Sequence, residues 1–183
     1  VTMREVFSLA AQSLMAGVFA LAAFSKLRGR EEFGRFATTV RKLTMRSGPE
    51  TAAVAGAFAA VEALTAVLIA VPATAPAGLW TAAALLTLFI GVVFRAVRGG
   101  VFAECGCFGG SAVMSYPLLG RNALLLTLAL AGLAASGDRA AWEGPALRGL
   151  ALAIGLAAAS ALLRSFDRAV TLVLGRVHAR TRT

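Results

Sequence analysis

Five stretches of roughly 20 mostly apolar residues divide this chain, at 6–27, 51–71, 77–97, 118–136 and 145–163. A helix needs about 20 such residues to cross the hydrocarbon core of a bilayer. Within that core only helices and closed barrels satisfy their own backbone groups. The pattern predicts an all-α, polytopic membrane helix bundle of four to five transmembrane helices, the fourth being the shortest. Composition agrees, with 58% hydrophobic residues, 15% charged and a mean hydropathy of +0.79. A soluble domain is usually about a quarter charged. A soluble globular enzyme and a disordered chain are both excluded. No repeat, low-complexity tract or second soluble domain interrupts the sequence, so residues 1–183 read as a single membrane domain.

The connections carry their own signals. Pro72-Ala73-Thr74-Ala75-Pro76 is a tight turn that makes a hairpin of the second and third spans. Ser47-Gly48-Pro49-Glu50 has the form of a capping box opening the second span. Ala20-Leu21-Ala22 resembles a signal-peptide cleavage site, but only Arg4 precedes the apolar run and the run continues to Leu27. The first segment is therefore read as a span.

The formal net charge is +9. In a soluble protein that would suggest nucleic acid. Here the basic residues flank apolar runs, so the partner they indicate is a lipid bilayer, and no nucleic-acid partner is expected. One side collects Lys26, six residues of the 28–50 loop, Arg95, Arg98, Arg121 and five residues of the tail, 15 in all, against Arg4, Arg139 and Arg148 on the other. That asymmetry predicts an N-terminus outside, a C-terminus in the cytoplasm and the 105–110 loop on the cytoplasmic side. Arginine far outnumbers lysine, and Ala and Gly abound, as in a GC-rich bacterial genome. The expected location is a bacterial plasma membrane.

Two polar connections have apolar residues at helical spacing. Phe33, Phe36, Val40 and Leu43 recur among Arg35, Arg41 and Lys42; in the 164–183 tail Phe166, Val170, Val173 and Val177 recur among Arg164, Arg168 and Arg176. Both suit amphipathic helices lying on an anionic membrane surface; the plainer alternative is a solvated basic loop.

The two cysteines, Cys105 and Cys107, stand two positions apart in Cys105-Gly106-Cys107-Phe108-Gly109-Gly110. Gly106 permits the tight geometry that a disulfide between such close neighbours requires. So small a ring is strained and easily reduced, as catalytic or regulatory disulfides are. Two other readings stay open: unpaired cysteines packing as small hydrophobes, and a metal site. The second has only His178, far along the tail, to help, and a closed zinc site wants four N or S ligands, so no metal is expected. From Gly99 to Gly120 Glu104 is the one acidic residue, no basic residue occurs, and apolar side chains dominate. A re-entrant or capping loop over the bundle fits this composition; a hydrophobic surface loop is the alternative.

Glu62 falls near the middle of the second span. A carboxylate there is expensive unless paired or protonated, so it is expected to face the bundle interior. It could serve thiol chemistry as a proton donor or acceptor, since the thiolate is the nucleophile. Lys26, ending the first span, is its candidate counter-charge. A purely structural ion pair is the competing reading. Gln12 is read as a contact between helices. Arg95 and Arg98 are expected to snorkel to headgroups or to favour a thiolate, with Glu104 opposing them.

Ala23-Phe24-Ser25-Lys26-Leu27, Pro49, Glu62 and above all Cys105-Gly106-Cys107-Phe108-Gly109 together resemble the MauE/DoxX-like redox-associated membrane proteins, over roughly 6–133. The resemblance implies a small multi-helix membrane protein, often encoded beside thioredoxin-like partners and implicated in disulfide formation or maturation of extracytoplasmic proteins. It implies functional roles for Lys26, Glu62, Cys105 and Cys107, supported by Phe108 and Gly109. It also creates a tension, because such partners act outside the cytoplasm while the charge count puts the cysteines inside.

Three functions fit. The first is a thiol–disulfide relay between a thioredoxin-like partner and another donor or acceptor through Cys105 and Cys107. The second is a non-enzymatic scaffold or chaperone subunit docking a maturation or redox enzyme, within an oligomer or complex. The third is a quinone-reactive membrane subunit, with quinone as cofactor but no residue set of its own to hold it.

Overall fold

The computed structural model describes residues 2–44, 48, 50–98, 104–105, 112–113, 116–136 and 144–180. Helix α1 is Met3–Leu27, α2 Arg30–Thr44, α3 Glu50–Ala70, α4 Ala75–Arg98, α5 Tyr116–Ala135 and α6 Pro145–Arg180. A short 3-10 turn, Pro72–Thr74, closes the α3–α4 hairpin, as the paired prolines predict. Five of these helices are long and apolar enough to cross a membrane; α2 is not among them.

Helix α1 is the hub. It packs against α3, α5 and α6, while α4 fills the gap between α3 and α5. Met15, Val18 and Phe19 of α1 meet Ile69 of α3, Leu79 of α4, Leu125 of α5 and Ala159 of α6 in one core. The crossing of α1 and α6 depends on missing side chains. A Cβ on Gly155 would overlap the backbone carbonyl of Ser13, and one on Gly17 would lie 2.8 Å from that of Gly155. Small residues let membrane helices approach this closely, where van der Waals packing drives association.

Two arginines close the bundle at the end away from α2. Arg148 of α6 donates to the carbonyls of Ala70 (2.8 Å) and Ile69 (3.1 Å), at the C-terminus of α3. Arg4 donates to the carbonyl of Ala134 (2.7 Å), at the C-terminus of α5. Terminal carbonyls lack intrahelical partners, and a cation suits the negative end of a helix. Nearby, Gln12 donates to Ser8 (3.0 Å), whose hydroxyl lies 3.4 Å from that of Ser136. Gln12 thus joins α1 to the end of α5 through Ser8.

Three details differ from the sequence reading. Helix α2 forms where expected, but its apolar face lies on the protein: Phe36, Ala37 and Val40 pack with Phe33 against Ala55 and Phe58 of α3. Periodicity identifies an apolar face, not what covers it. The tail is helical, but as an unbroken continuation of the fifth span: α6 runs 36 residues in all, about 54 Å at 1.5 Å per residue. No proline follows Pro145, and a span and an amphipathic segment share one period. The 104–113 region also contains a minimal antiparallel ladder, Glu104 opposite Val113 and Cys105 opposite Ala112; two-residue strands leave no alternation to detect. Among the described residues a capping box is present at Thr2 and Glu5 of α1; Ser47 of the one expected at α3 lies outside the described residues.

Candidate functional site

Lys26 and Glu62 meet inside the bundle. Buried positions on α3 recur as Thr51, Ala55, Ala59, Ala66 and Ile69, a stripe at helical spacing that Glu62 continues between Ala59 and Ala66. The alanines keep this face thin, so neighbouring helices come close. Lys26 lies in the last turn of α1, where a cation also complements the helix dipole. Its Nζ donates to both carboxylate oxygens of Glu62, at 2.8 Å and 2.6 Å. The ammonium also lies 3.4 Å from the carbonyl of Ala22 and 5.0 Å from the centre of the Phe36 ring, within the range of a cation–π contact.

The pair is shut away from the surroundings. The Lys26 side chain is 0% exposed and that of Glu62 12%. Helix α2 provides much of the cover. Phe36 faces the ammonium, and Leu43 packs with Val93 and Ala96 of α4 and Leu118 and Leu119 of α5. The helix therefore reaches from α3 to the ends of α4 and α5. On its outer side Arg35 pairs with Glu31 along the helix, and Glu32 pairs with Arg28, which lies just before the helix begins.

Strand β1, Glu104–Cys105, lies against α2. The backbone of Cys105 is thus at the same end of the bundle as Lys26 and Glu62. Gly106, Cys107, Phe108 and Gly109 lie outside the described residues, as does the proposed disulfide. Arg95 and Arg98 are exposed near the end of α4, the guanidinium of Arg98 5.3 Å from the Phe94 ring.

Two polar residues at this end are buried, one of them read only as a flanking charge and the other not singled out in the sequence. Arg121, counted as one of the basic residues flanking the spans, is 4% exposed on the second turn of α5, and Asn122 is 1% exposed. The signal was present for Arg121, which falls inside the fourth apolar segment, where an ionisable residue is a functional candidate by default. Phe36 was legible as an apolar position but not as a neighbour of Lys26.

A five-span helix bundle with a buried ion pair at one end, closed by a crossing amphipathic helix, defines an all-α multi-pass membrane protein. The family model described as methylamine utilisation protein MauE matches residues 4–135, from the start of α1 to the end of α5. The chain belongs to the MauE family. It is 38% identical over 122 residues to the methylamine utilization protein MauE of Paracoccus denitrificans, covering 64% of this chain and 63% of that one. It is 35% identical over 124 residues to the protein of the same name from Paracoccus versutus, covering 66% and 65%. The match thus spans a little under two thirds of the length of these relatives. No solved structure matches the chain.

Proposed function

We propose that the chain is a membrane thiol–disulfide relay in which Cys105 and Cys107 pass two electrons between a thioredoxin-like partner and another donor or acceptor. The observation that supports this most is a buried ion pair, Lys26–Glu62, at the end of the bundle where β1 brings the backbone of Cys105 against α2. Exchange of thiols and disulfides moves protons with electrons, and a carboxylate held by an ammonium in an apolar setting is suited to exchange a proton.

In the reducing direction, one thiolate of the pair attacks a sulfur of the partner's disulfide. The partner's S–S bond breaks, a mixed disulfide forms and the other partner sulfur leaves as a thiolate. The second cysteine gives up its proton toward Glu62 and attacks the mixed disulfide. The partner leaves as a dithiolate that takes up the proton held at Glu62 and a second from solvent, the one released when the first thiolate formed, and the Cys105–Cys107 disulfide remains. Two electrons and two protons have passed to the partner, and the reverse steps oxidise it. Gly106, Phe108, Gly109 and Glu104 shape the loop, and a quinone is the membrane acceptor this reading admits for the second half-reaction. The relatives' name places them in methylamine utilization, and we carry over as this chain's setting the maturation of proteins for that process. The charge asymmetry orients the cysteine loop and C-terminus to the cytoplasm.

The test is redox titration of the purified protein in glutathione buffers, followed by alkylation and mass spectrometry. The relay predicts one disulfide that opens and closes reversibly between Cys105 and Cys107. Cysteines that stay reduced throughout would move the assignment to a scaffold that docks a redox or maturation enzyme.

A further inference from the structure

We propose that Asn122 holds an internal water in one polar layer with Lys26 and Glu62, and that Glu62 exchanges its proton through that water. The water site stands on geometry alone; the proton route rests on the relay reading and adds a positioning residue to it. Asn122 is 1% exposed and its amide nitrogen has no hydrogen-bond partner. A buried donor left open is costly, and buried polar groups are ordinarily satisfied by protein or by ordered water. The position is not at the edge of the bundle. Leu118, one turn before it, packs with Val93 and Ala96 of α4. Leu125, one turn after it, packs with Val18 of α1 and Leu86 of α4 in the main core. Asn122 therefore lies on the inner face of α5, between two apolar clusters.

The register of the helices brings this amide to the depth of the ion pair. Ala11 of α1 and Leu79 of α4 lie beside Gly132 of α5, and Val93 of α4 packs with Leu118. Both neighbours run antiparallel to α5, and all helices rise equally per residue. Asn122 thus comes level with Leu21 and Ala22 of α1 and with Phe89 of α4. The ammonium of Lys26 lies 3.4 Å from the Ala22 carbonyl and holds Glu62. Helices α1 and α4 each pack against both α3 and α5, so Glu62 on α3 and Asn122 on α5 enter this layer from opposite sides. Water joins polar groups across such a gap. Each carboxylate oxygen of Glu62 bonds to Lys26 and keeps a lone pair that can accept from a water. A buried water typically makes about three hydrogen bonds, and Asn122 and Glu62 supply the first two. A proton leaving Glu62 adds to the water oxygen while another passes from it toward the α2 end of the bundle. The water is unchanged and no electrons move.

The first test is X-ray hydroxyl-radical footprinting of the full-length protein in lipid nanodiscs, read by mass spectrometry. Radiolysis makes radicals where water sits, so a buried side chain is oxidised when an internal water adjoins it. Leu125 is 1% exposed, and Ile69 and Leu79 of the main core are 0% exposed. Leu125 should be oxidised about fivefold faster than either, because only it adjoins the water. Asn122→Leu should remove that excess and Asn122→Ser should keep it. Asn122→Leu takes away the amide and its water together, so its unfolding midpoint in micelles should not fall. Leu125 oxidised no faster than Ile69 and Leu79 in the wild type overturns the proposal, a result that needs no variant to fold. The second test is the rate of electron transfer through the cysteines. Asn122→Leu should slow it about tenfold, as expected when a positioned proton carrier is lost, and Asn122→Ser should restore most of the rate. An unchanged rate in folded Asn122→Leu overturns the proton route. A wild type that is oxidised at Leu125 as expected, yet passes no electrons, refutes the relay and supports the water site.

Discussion

The ammonium of Lys26 lies 2.6 Å and 2.8 Å from the two carboxylate oxygens of Glu62, a residue 36 positions further along the chain. The contact ties α1 to α3 with no water between the charges. Removing one partner of a buried pair leaves an uncompensated charge, which costs about 3–5 kcal/mol, whereas replacing both with apolar groups of similar volume is often close to neutral. Lys26→Met and Glu62→Leu should each lower the free energy of unfolding in micelles by about that amount. The double variant should recover most of it. Additive losses would mean that the two residues are not coupled.

Function should not recover with stability. Glu62→Gln keeps an oxygen to accept from Lys26 but loses the exchangeable carboxyl proton. It should fold better than Glu62→Leu and still impair electron transfer through the cysteines. Wild-type turnover in Glu62→Gln would reduce the pair to a structural tie.

The pair was legible because a charge within an apolar span has few places to go, and an interior partner is the least expensive. Arg121 obeys the same logic, yet a count of flanking basic residues treated it as a topological charge. Arg4 and Arg148 were counted only as charges of one side, and the structure gives them a further role, capping α5 and α3. Charge counts carry no information about which carbonyls lie within reach. The apolar face of α2 was found by its period, but its partner, α3, depends on how the loops fold back. The α1–α6 crossing was not foreseen either, because Gly17 and Gly155 matter only once the two helices are in contact.

That crossing makes a sharp prediction. Even alanine at 155 would drive its Cβ into the Ser13 backbone. Gly155→Ala should destabilise the bundle by about 1–3 kcal/mol, the usual range for overpacking, read as a lower unfolding midpoint in micelles. An unchanged midpoint would mean that α6 is not held this closely.

Arg148 separates capping from orientation. Arg148→Gln removes two bonds to α3 carbonyls and should cost about 1–3 kcal/mol. A reporter fused to the C-terminus should still be cytoplasmic, because the basic residues at the opposite end dominate. A reporter that changes side would show that Arg148 acts on insertion and not as a cap.

The relay itself is tested most directly by trapping its intermediate. Cys105→Ser and Cys107→Ser, each expressed in cells and quenched in acid, leave one cysteine unable to be resolved. The account predicts that both variants insert and fold, that both lose electron transfer, and that one of them accumulates a mixed disulfide with a thioredoxin-like protein, visible by non-reducing electrophoresis and mass spectrometry. Full function in the double variant, with no mixed disulfide in either single one, would contradict it.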